Sequence, residues 1–454
     1  MSEASRIAQA QASSDQRVPR ILGVFARWRL LAYGYTFPVF YAAFFLYLYC
    51  HGLWLANDSG APVYHDFTHF WVAGWQALHG ETASLNDQAA FKEVQDRAAS
   101  FGLSLYSLYP PTFTLVLVPL AMLPYFAAFL TWESVTLVCC IAVVYLIVRR
   151  QPAISLMLAS PFAAWNFLIG QNGFLTASLL GASLLLLERQ PVMAGVFIGC
   201  LTYKPQFGIL LPVALIAARQ WRACVSASVT AIVLVAASAA AFGVDGWVAF
   251  PRALFAQGSG TMFTSPDWGF LLQTLYGLIL VLHGGAALAW LIQAIATAGV
   301  GIVVWLVWRS PVRYALKAAT LSAAALIATP YAFAYDLAAI AIPVAFLASD
   351  QIRCGLLRGE QTTMIALFVA SLAVIPTTGK APVGAVILVA LLCLILRRAL
   401  QHRGELAIST HRFSERDLGP AQLALIGALK HDIAPDSCLL RGERAVAVPN
   451  RWRP

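Results

Sequence analysis

The chain of 454 residues is 60% hydrophobic and only 11% charged, against roughly 25% charged residues in soluble domains. That balance excludes a soluble domain and implies a polytopic membrane protein, all-α because helices satisfy their own backbone in lipid. The net charge of +9 calls for no nucleic-acid partner, since Lys and Arg gather in the cytoplasmic loops of such proteins.

Residues 1–30 are polar and carry Arg6, Arg17, Arg20, Arg27 and Arg29. They are expected to form a cytoplasmic N-terminal segment. No cleavable signal peptide is visible, because the first apolar run, about 35–55, is long enough to stay as a helix. A membrane domain then covers residues 31–399, in about ten to twelve spans of roughly 20 residues each. Its first loop, 56–110, is long and is expected on the outer side. Apolar residues recur there at helical spacing from Phe67 through Phe70, Trp71, Gly74 and Trp75 to Leu78. A second, polar helix is expected at about 86–100. Both suit amphipathic helices in the membrane interface.

Tyr109, Pro110 and Pro111 open the next apolar run, which Pro119 and Pro124 break and Arg149 and Arg150 end. The two arginines favour a re-entrant piece plus one full span. Further apolar runs follow to about residue 396. Basic clusters near 188, 219–222, 309–317, 353–358 and 397 are expected inside. Four polar turns then fall outside with Asp66: residues 170–173, 203–206, 244–268 and 329–336. Residues 400–454 form a polar, basic cytoplasmic tail with an expected amphipathic helix at about 418–429. The eight cysteines include no CxxC pair, so neither a zinc site nor a disulfide framework is supported.

Several polar residues need a reason at the membrane surface. Asp66, with His65 and His69 among aromatics, directly follows the first apolar segment. Desolvation would raise its pKa and suit it to accept a proton from a sugar hydroxyl. The plainer role is an N-cap for the helix that begins at Phe67. Lys204, alone between two apolar runs, suits a phosphate as a point charge, or snorkels to the interface. Gln171 and Asn172 in a Gly-bounded break suit sugar hydroxyls, or cap a helix pair. Tyr331, Tyr335 and Asp336 suit sugar binding, or an interfacial aromatic belt. Tyr109, Asp267 and Trp268 are weaker candidates. His65 and His69 have the i, i+4 spacing of metal ligands but no third ligand, so no metal is assigned. No GxGxxG, Walker loop or GxSxG elbow is present. No nucleotide donor or cofactor is therefore indicated, and a lipid-borne donor needs none.

The order of these pieces resembles the GT-C class of polytopic glycosyltransferases. Within it the chain is similar to glycosyltransferase family 87, the polyprenyl-phosphate-mannose-dependent α-mannosyltransferase group. The residues that carry the likeness are Asp66 with Phe67, Ala73 with Gly74, and Leu78, His79 and Gly80. Tyr109, Pro110 and Pro111, then Pro119 with Leu120, continue it. Gly170, Gln171 and Asn172 follow, then Gly195 through Lys204 and Pro205, and Thr329 with Pro330. The likeness spans about residues 35–350. It implies a hexosyltransferase of the cell membrane with its site on the outer face. The reaction is an inverting transfer from a polyprenyl-phosphate sugar, mannose in that group, to a lipid- or glycan-linked acceptor. Asp66 matches the acidic residue assigned as general base, and Lys204 the Lys-Pro element, here given to the lipid phosphate. Tyr335 and Asp336 stand where family members often carry a His-Tyr pair. A transporter or lipid flippase is the competing reading, yet the matched halves typical of transporters are not visible here.

Overall fold

The computed structural model describes residues 34–60, 63, 65–82, 85, 87–98, 109–259, 271–377 and 380–414. Within them the chain is a bundle of α-helices joined by short turns and 3-10 segments, with only isolated β-bridges. The expected segments at 1–30 and 418–429, with Asp267 and Trp268, lie outside the described residues.

Helix α1 (Gly34–Cys50) is apolar and anchors through Tyr41, whose hydroxyl donates to the Ala159 carbonyl at 3.2 Å. The first loop then forms α2 (Phe67–Leu78) and the polar α3 (Gln88–Ala98), within a few residues of the expected helices. Helix α2 does more than rest in an interface. Phe67, Phe70, Val72, Ala73 and Gly74 are buried, and the helix packs on α4 (Pro111–Ala121). Eleven residues at a rise of about 1.5 Å each leave α4 well short of a bilayer of about 30 Å. Its Pro111 stands at the first helical position, where no backbone donor is lost. Pro124 starts α5 (Tyr125–Val148), a full-length span, so the two-part reading of this run matches the observed lengths.

Helices α6 (Pro152–Leu158) and α7 (Pro161–Ile169) are bent by 57° at their junction. After the break at 170–173 come α8 (Gly173–Leu186) and α9 (Pro191–Cys200). Two 3-10 turns, Leu201–Tyr203 and Pro205–Gly208, flank Lys204 before α10 (Leu211–Ala217). Helix α11 (Trp221–Phe242) packs on α9 and shows most of its apolar surface outward, for example Val225, Val229, Ile232 and Val233. In water such a patch would be a liability; in lipid it is the expected face. Helices α12 (Asp245–Ser259), α13 (Leu275–Val281) and α14 (Gly285–Arg309) follow.

Helix α15 (Tyr314–Ala328) is the axis of the bundle. Every residue from Ala318 to Ala328 is buried, eight of the eleven are alanine, serine or threonine, and α14, α16 (Ala341–Cys354) and α18 (Val383–Ser414) all touch it. Small side chains allow such close helix approach where lipid offers no hydrophobic drive. The 3-10 segment Asp336–Ile340 leads into α16. Helices α17 (Glu360–Thr377) and α18 (Val383–Ser414) complete the described chain. The last runs unbroken through residue 400, where a tail was expected to begin.

Six described helices, or seven counting the bent pair, are long and apolar enough to cross a membrane. The expected ten to twelve came from chain length at roughly 20 residues per span, whereas the apolar runs differ in length. Six of those runs are helices of 10–17 residues, shortened by the Pro and Gly residues at their ends.

One end of the bundle is closed by buried ions. Asp350 accepts from Arg313 Nε at 2.6 Å and Nη2 at 3.0 Å, and from Arg398 Nε at 2.5 Å. Arg398 also reaches Glu360 Oε2 at 2.7 Å and the Gly355 carbonyl at 2.8 Å. Four helices are tied here. Asp350→Ala would strand the buried Arg313 guanidinium and leave Arg398 to Glu360 and backbone carbonyls, and removing one partner of a buried pair costs about 3–5 kcal/mol. The variant is expected to unfold at clearly lower temperature in detergent; an unchanged melting curve would show the network to be dispensable.

Candidate active site

The site forms at the other end of α15, around the break between α7 and α8. Gly170 ends α7 at φ 75, the left-handed cap that glycine takes without strain. A side chain on Gly170 would strike Phe67 and Phe129, and one on Gly173 would strike the Tyr335 carbonyl and Asn166. The two glycines therefore let the start of α2 and the 329–336 segment both approach this break.

Asn166 and Trp132 hold the break from within. Asn166 Oδ1 accepts from Gly173 N at 2.7 Å, and its Nδ2 donates to the Gln171 carbonyl at 3.0 Å. Trp132 Nε1 donates to the same carbonyl at 3.3 Å. With its backbone fixed, Gln171 is free to use its side chain outward. Its Nε2 donates to Asp66 Oδ2 at 3.1 Å, and its Oε1 accepts from Tyr109 at 3.4 Å and from Asn172 N at 3.2 Å.

Asp66 occupies the N-cap position of α2 but makes no side-chain cap bond. Thr68 takes part of that work: its hydroxyl accepts from His65 N at 3.1 Å and meets Tyr125 at 3.0 Å. The Asp66 carboxyl instead turns to Gln171. Enclosed by protein, yet not wholly cut off from solvent, it is pushed up to about 6 by burial, with the Gln171 bond pulling the other way. The two histidines orient on backbone: His65 Nδ1 donates to the Val63 carbonyl at 2.7 Å, and His69 Nδ1 to the Asp66 carbonyl at 2.5 Å. Burial lowers both, His69 to about 4, so both are neutral near pH 7. No group of three His, Cys, Asp or Glu suited to a metal occurs among the described residues.

Lys204 does not snorkel. It is 3% exposed, and its ammonium meets Asp336 Oδ1 at 2.5 Å. It lies over the rings of Tyr335, Phe207 and Tyr109, 4.8, 5.6 and 5.8 Å from their centroids. Asp336 Oδ2 also accepts from Phe333 N at 3.0 Å. Tyr109 packs edge-on to Phe70 and is tilted against Phe113. Burial, reinforced by the Asp336 charge, raises its hydroxyl pKa. Tyr335 stacks on Phe333 and is buried. Both tyrosines feel the charges of Asp66 and Asp336, so the two acidic centres share these rings.

The structure thus links Asp66, Gln171 and Tyr109 by hydrogen bonds and sets Asn172, Tyr335 and the Lys204–Asp336 pair next to Tyr109, while His69 bonds the Asp66 backbone and the His65 ring turns to Val63 and Phe129. The Asn172 side chain is fully buried and forms no well-shaped hydrogen bond, although Tyr109 neighbours it; the cap role expected for it falls to Asn166. Tyr331 stands apart. It packs against Tyr276 and Trp290 in a second aromatic cluster. Sequence reasoning passed over Glu133, fully buried in α5 with Asn166 Nδ2 at 3.5 Å. A lone carboxylate within an apolar run was the available signal.

Residues 108–330 match the family model of glycosyltransferase family 87. The match indicates a membrane glycosyltransferase, with a sugar donor and an acceptor as its substrates. It contains Tyr109, Gln171, Asn172 and Lys204, whereas Asp66, Tyr335 and Asp336 lie outside its bounds. No curated protein and no solved structure matches the chain.

The Asp66 carboxyl is expected to titrate near pH 6, against about 3.9 in a free peptide. Losing a hydrogen bond to the charged form raises a carboxyl pKa, so Gln171→Leu should move the midpoint higher still. Infrared titration of ¹³C-labelled aspartate, taken as a difference against Asp66→Asn, reads both. A midpoint near 4 in the wild type would refute the enclosure.

Proposed function

We propose that the chain transfers a hexose, mannose first among them, from a polyprenyl-phosphate donor to a lipid- or glycan-linked acceptor at the outer membrane face. One observation carries this reading: Gln171, inside the segment that matches the glycosyltransferase family, holds the Asp66 carboxyl, outside it. An acidic group matched to a base role is thereby joined to the family-matched core.

In the proposed step the acceptor hydroxyl oxygen attacks the anomeric carbon and inverts it. The bond from that carbon to the phosphate oxygen breaks. Asp66 takes the hydroxyl proton, and the polyprenyl phosphate leaves with the electron pair. Negative charge grows on the departing oxygen, and a fixed ammonium in a water-poor setting stabilises it well. Lys204 serves there. Asp336 keeps Lys204 charged and placed before the donor arrives, because an unpaired buried ammonium would tend to lose its proton. Gln171, Asn172, His65 and His69 offer donors and acceptors to sugar hydroxyls, with Tyr109 and Tyr335 as ring faces. Tyr331, set apart in the structure, would at most meet a distal part of a substrate. The sequence carries no nucleotide-binding motif, consistent with a donor delivered by lipid.

The test is transfer of radiolabelled mannose from polyprenyl-phosphate mannose by purified protein. Asp66→Asn is expected to lower transfer by about a hundredfold or more, the usual worth of a positioned base. Lys204→Gln should lower it too. The base must be deprotonated, so wild-type transfer should fall as pH drops through about 6. Full activity of Asp66→Asn would remove Asp66 from the chemistry. Silence of the wild type across a panel of lipid-linked sugars would sink the donor class.

A further inference from the structure

Glu133 has no part in the chemistry just described, yet it is the kind of residue a membrane helix rarely keeps. A carboxyl inside an apolar span is costly unless something uses it. Glu133 is completely buried at the ninth position of the 24-residue α5. Its Oε1 has no hydrogen-bond partner, and its Oε2 faces Asn166 Nδ2 at 3.5 Å.

Asn166 is the residue that shapes the break. Its Nδ2 serves the Gln171 carbonyl and its Oδ1 serves Gly173 N. An amide turned the other way would set Nδ2 against the Gly173 N–H and Oδ1 against the Gln171 carbonyl. It would also set Oδ1 against the Glu133 oxygen. An acceptor at position 133 therefore helps fix which way the amide points.

We infer that Glu133 is a positioning residue: it holds the Asn166 amide in the orientation that forms the 170–173 break, so that Gln171 meets Asp66. The functional part of this inference rests on the reading of Asp66 as the base; the geometric part does not. Glu133→Gln preserves an acceptor oxygen and the side-chain length, while Glu133→Leu removes the acceptor. Action through Gln171 has a further consequence. Residues in one network are not additive, so Glu133→Leu should change nothing more once Gln171→Leu is present.

The titratable groups around Asp66 are His65 and His69 on its own segment, Tyr125 from α5, and Tyr109 and Tyr335. Lys204 and Asp336 form the charged pair next to those last two rings. All are retained in the variants, so a moved midpoint reports the Gln171 bond.

The experiment uses the full chain in lipid nanodiscs, with wild type, Glu133→Leu, Glu133→Gln, Gln171→Leu and the Glu133→Leu/Gln171→Leu double variant. The first readout is the Asp66 infrared midpoint. Glu133→Leu should raise it as Gln171→Leu does, Glu133→Gln should leave it near about 6, and the double variant should equal Gln171→Leu. The second is transfer, where Glu133→Leu should lower kcat about tenfold with little change in KM, since misplacing a positioned group costs up to about a hundredfold. An unmoved midpoint in Glu133→Leu, or a double variant displaced by the sum of the two, overturns the inference. If Glu133→Leu does not fold, Asn166→Leu takes its place and must raise the midpoint, while Glu133→Gln must not. A wild type inactive with every donor, but with midpoints moving as described, would leave the positioning role standing and end the enzymatic reading.

Discussion

The site depends on one constraint: a helix broken inside an apolar protein must satisfy its own backbone. Residues 170–173 leave the helical ladder at the end of α7 and are buried by protein. Asn166 and Trp132 take up the Gln171 carbonyl and the Gly173 N–H. Irregular backbone within a membrane protein is tolerated where protein or a cavity surrounds it, and here protein does. The consequence is chemical. Because local groups satisfy the backbone, the Gln171 side chain remains available to Asp66 and Tyr109. The two bounding glycines bring those partners close, since any side chain there would push away Phe67 or Tyr335.

A second constraint separates the two ends of the bundle. Helix α15 is about 22 Å long at 1.5 Å per residue. Below its first turn sit Arg313, Asp350, Arg398 and Glu360; beyond its last turn sit Lys204 and Asp336. Both groups are buried ion pairs, but they differ in kind. At the Arg end four charges balance, and the Arg398 guanidinium also meets the Asp350 and Gly355 carbonyls. Such a cluster ties helices and leaves little to exchange. At the Lys end a compact ammonium has one carboxylate and three ring faces. An ammonium hydrogen-bonds as a point charge with several rotatable donors, so it can accept a second anion without losing the first.

Much of this was legible in the chain, and the limits are physical. Spacing of Phe67, Phe70, Gly74 and Leu78 placed α2, because a 3.6-residue period survives any tertiary setting. The Gly-bounded break and the Lys-Pro turn were visible as polar interruptions of apolar runs. Hydropathy, however, measures how apolar a run is and not whether it is continuous, so the short helices α8, α9 and α10 read as apolar runs like the full-length spans. The pairing of Lys204 with Asp336 joins residues 132 apart in sequence, which no local pattern encodes. Tyr331 and Tyr335 lie four residues apart and were grouped together; the turn before Asp336 sends Tyr331 to a separate aromatic cluster. Asp66 has the right sequence for a cap, and only the folded chain shows its carboxyl bonded to Gln171 in place of a cap bond.

The opposed influences on Asp66 follow from that arrangement. Burial alone would drive a carboxyl far up, leaving it protonated and unable to accept anything. A carboxylate held by several donors would titrate low and be too weak a base. One amide from Gln171, in an enclosed but not sealed position, leaves it at about 6, ionised at neutral pH yet more basic than a solvated aspartate. The neutral histidines on either side add no positive charge that would pull it down. Lys204 is already paired with Asp336, so its field beyond that pair is largely cancelled. A carboxyl of intermediate pKa at Asp66 and a separately balanced ammonium at Lys204 are therefore products of the same packing.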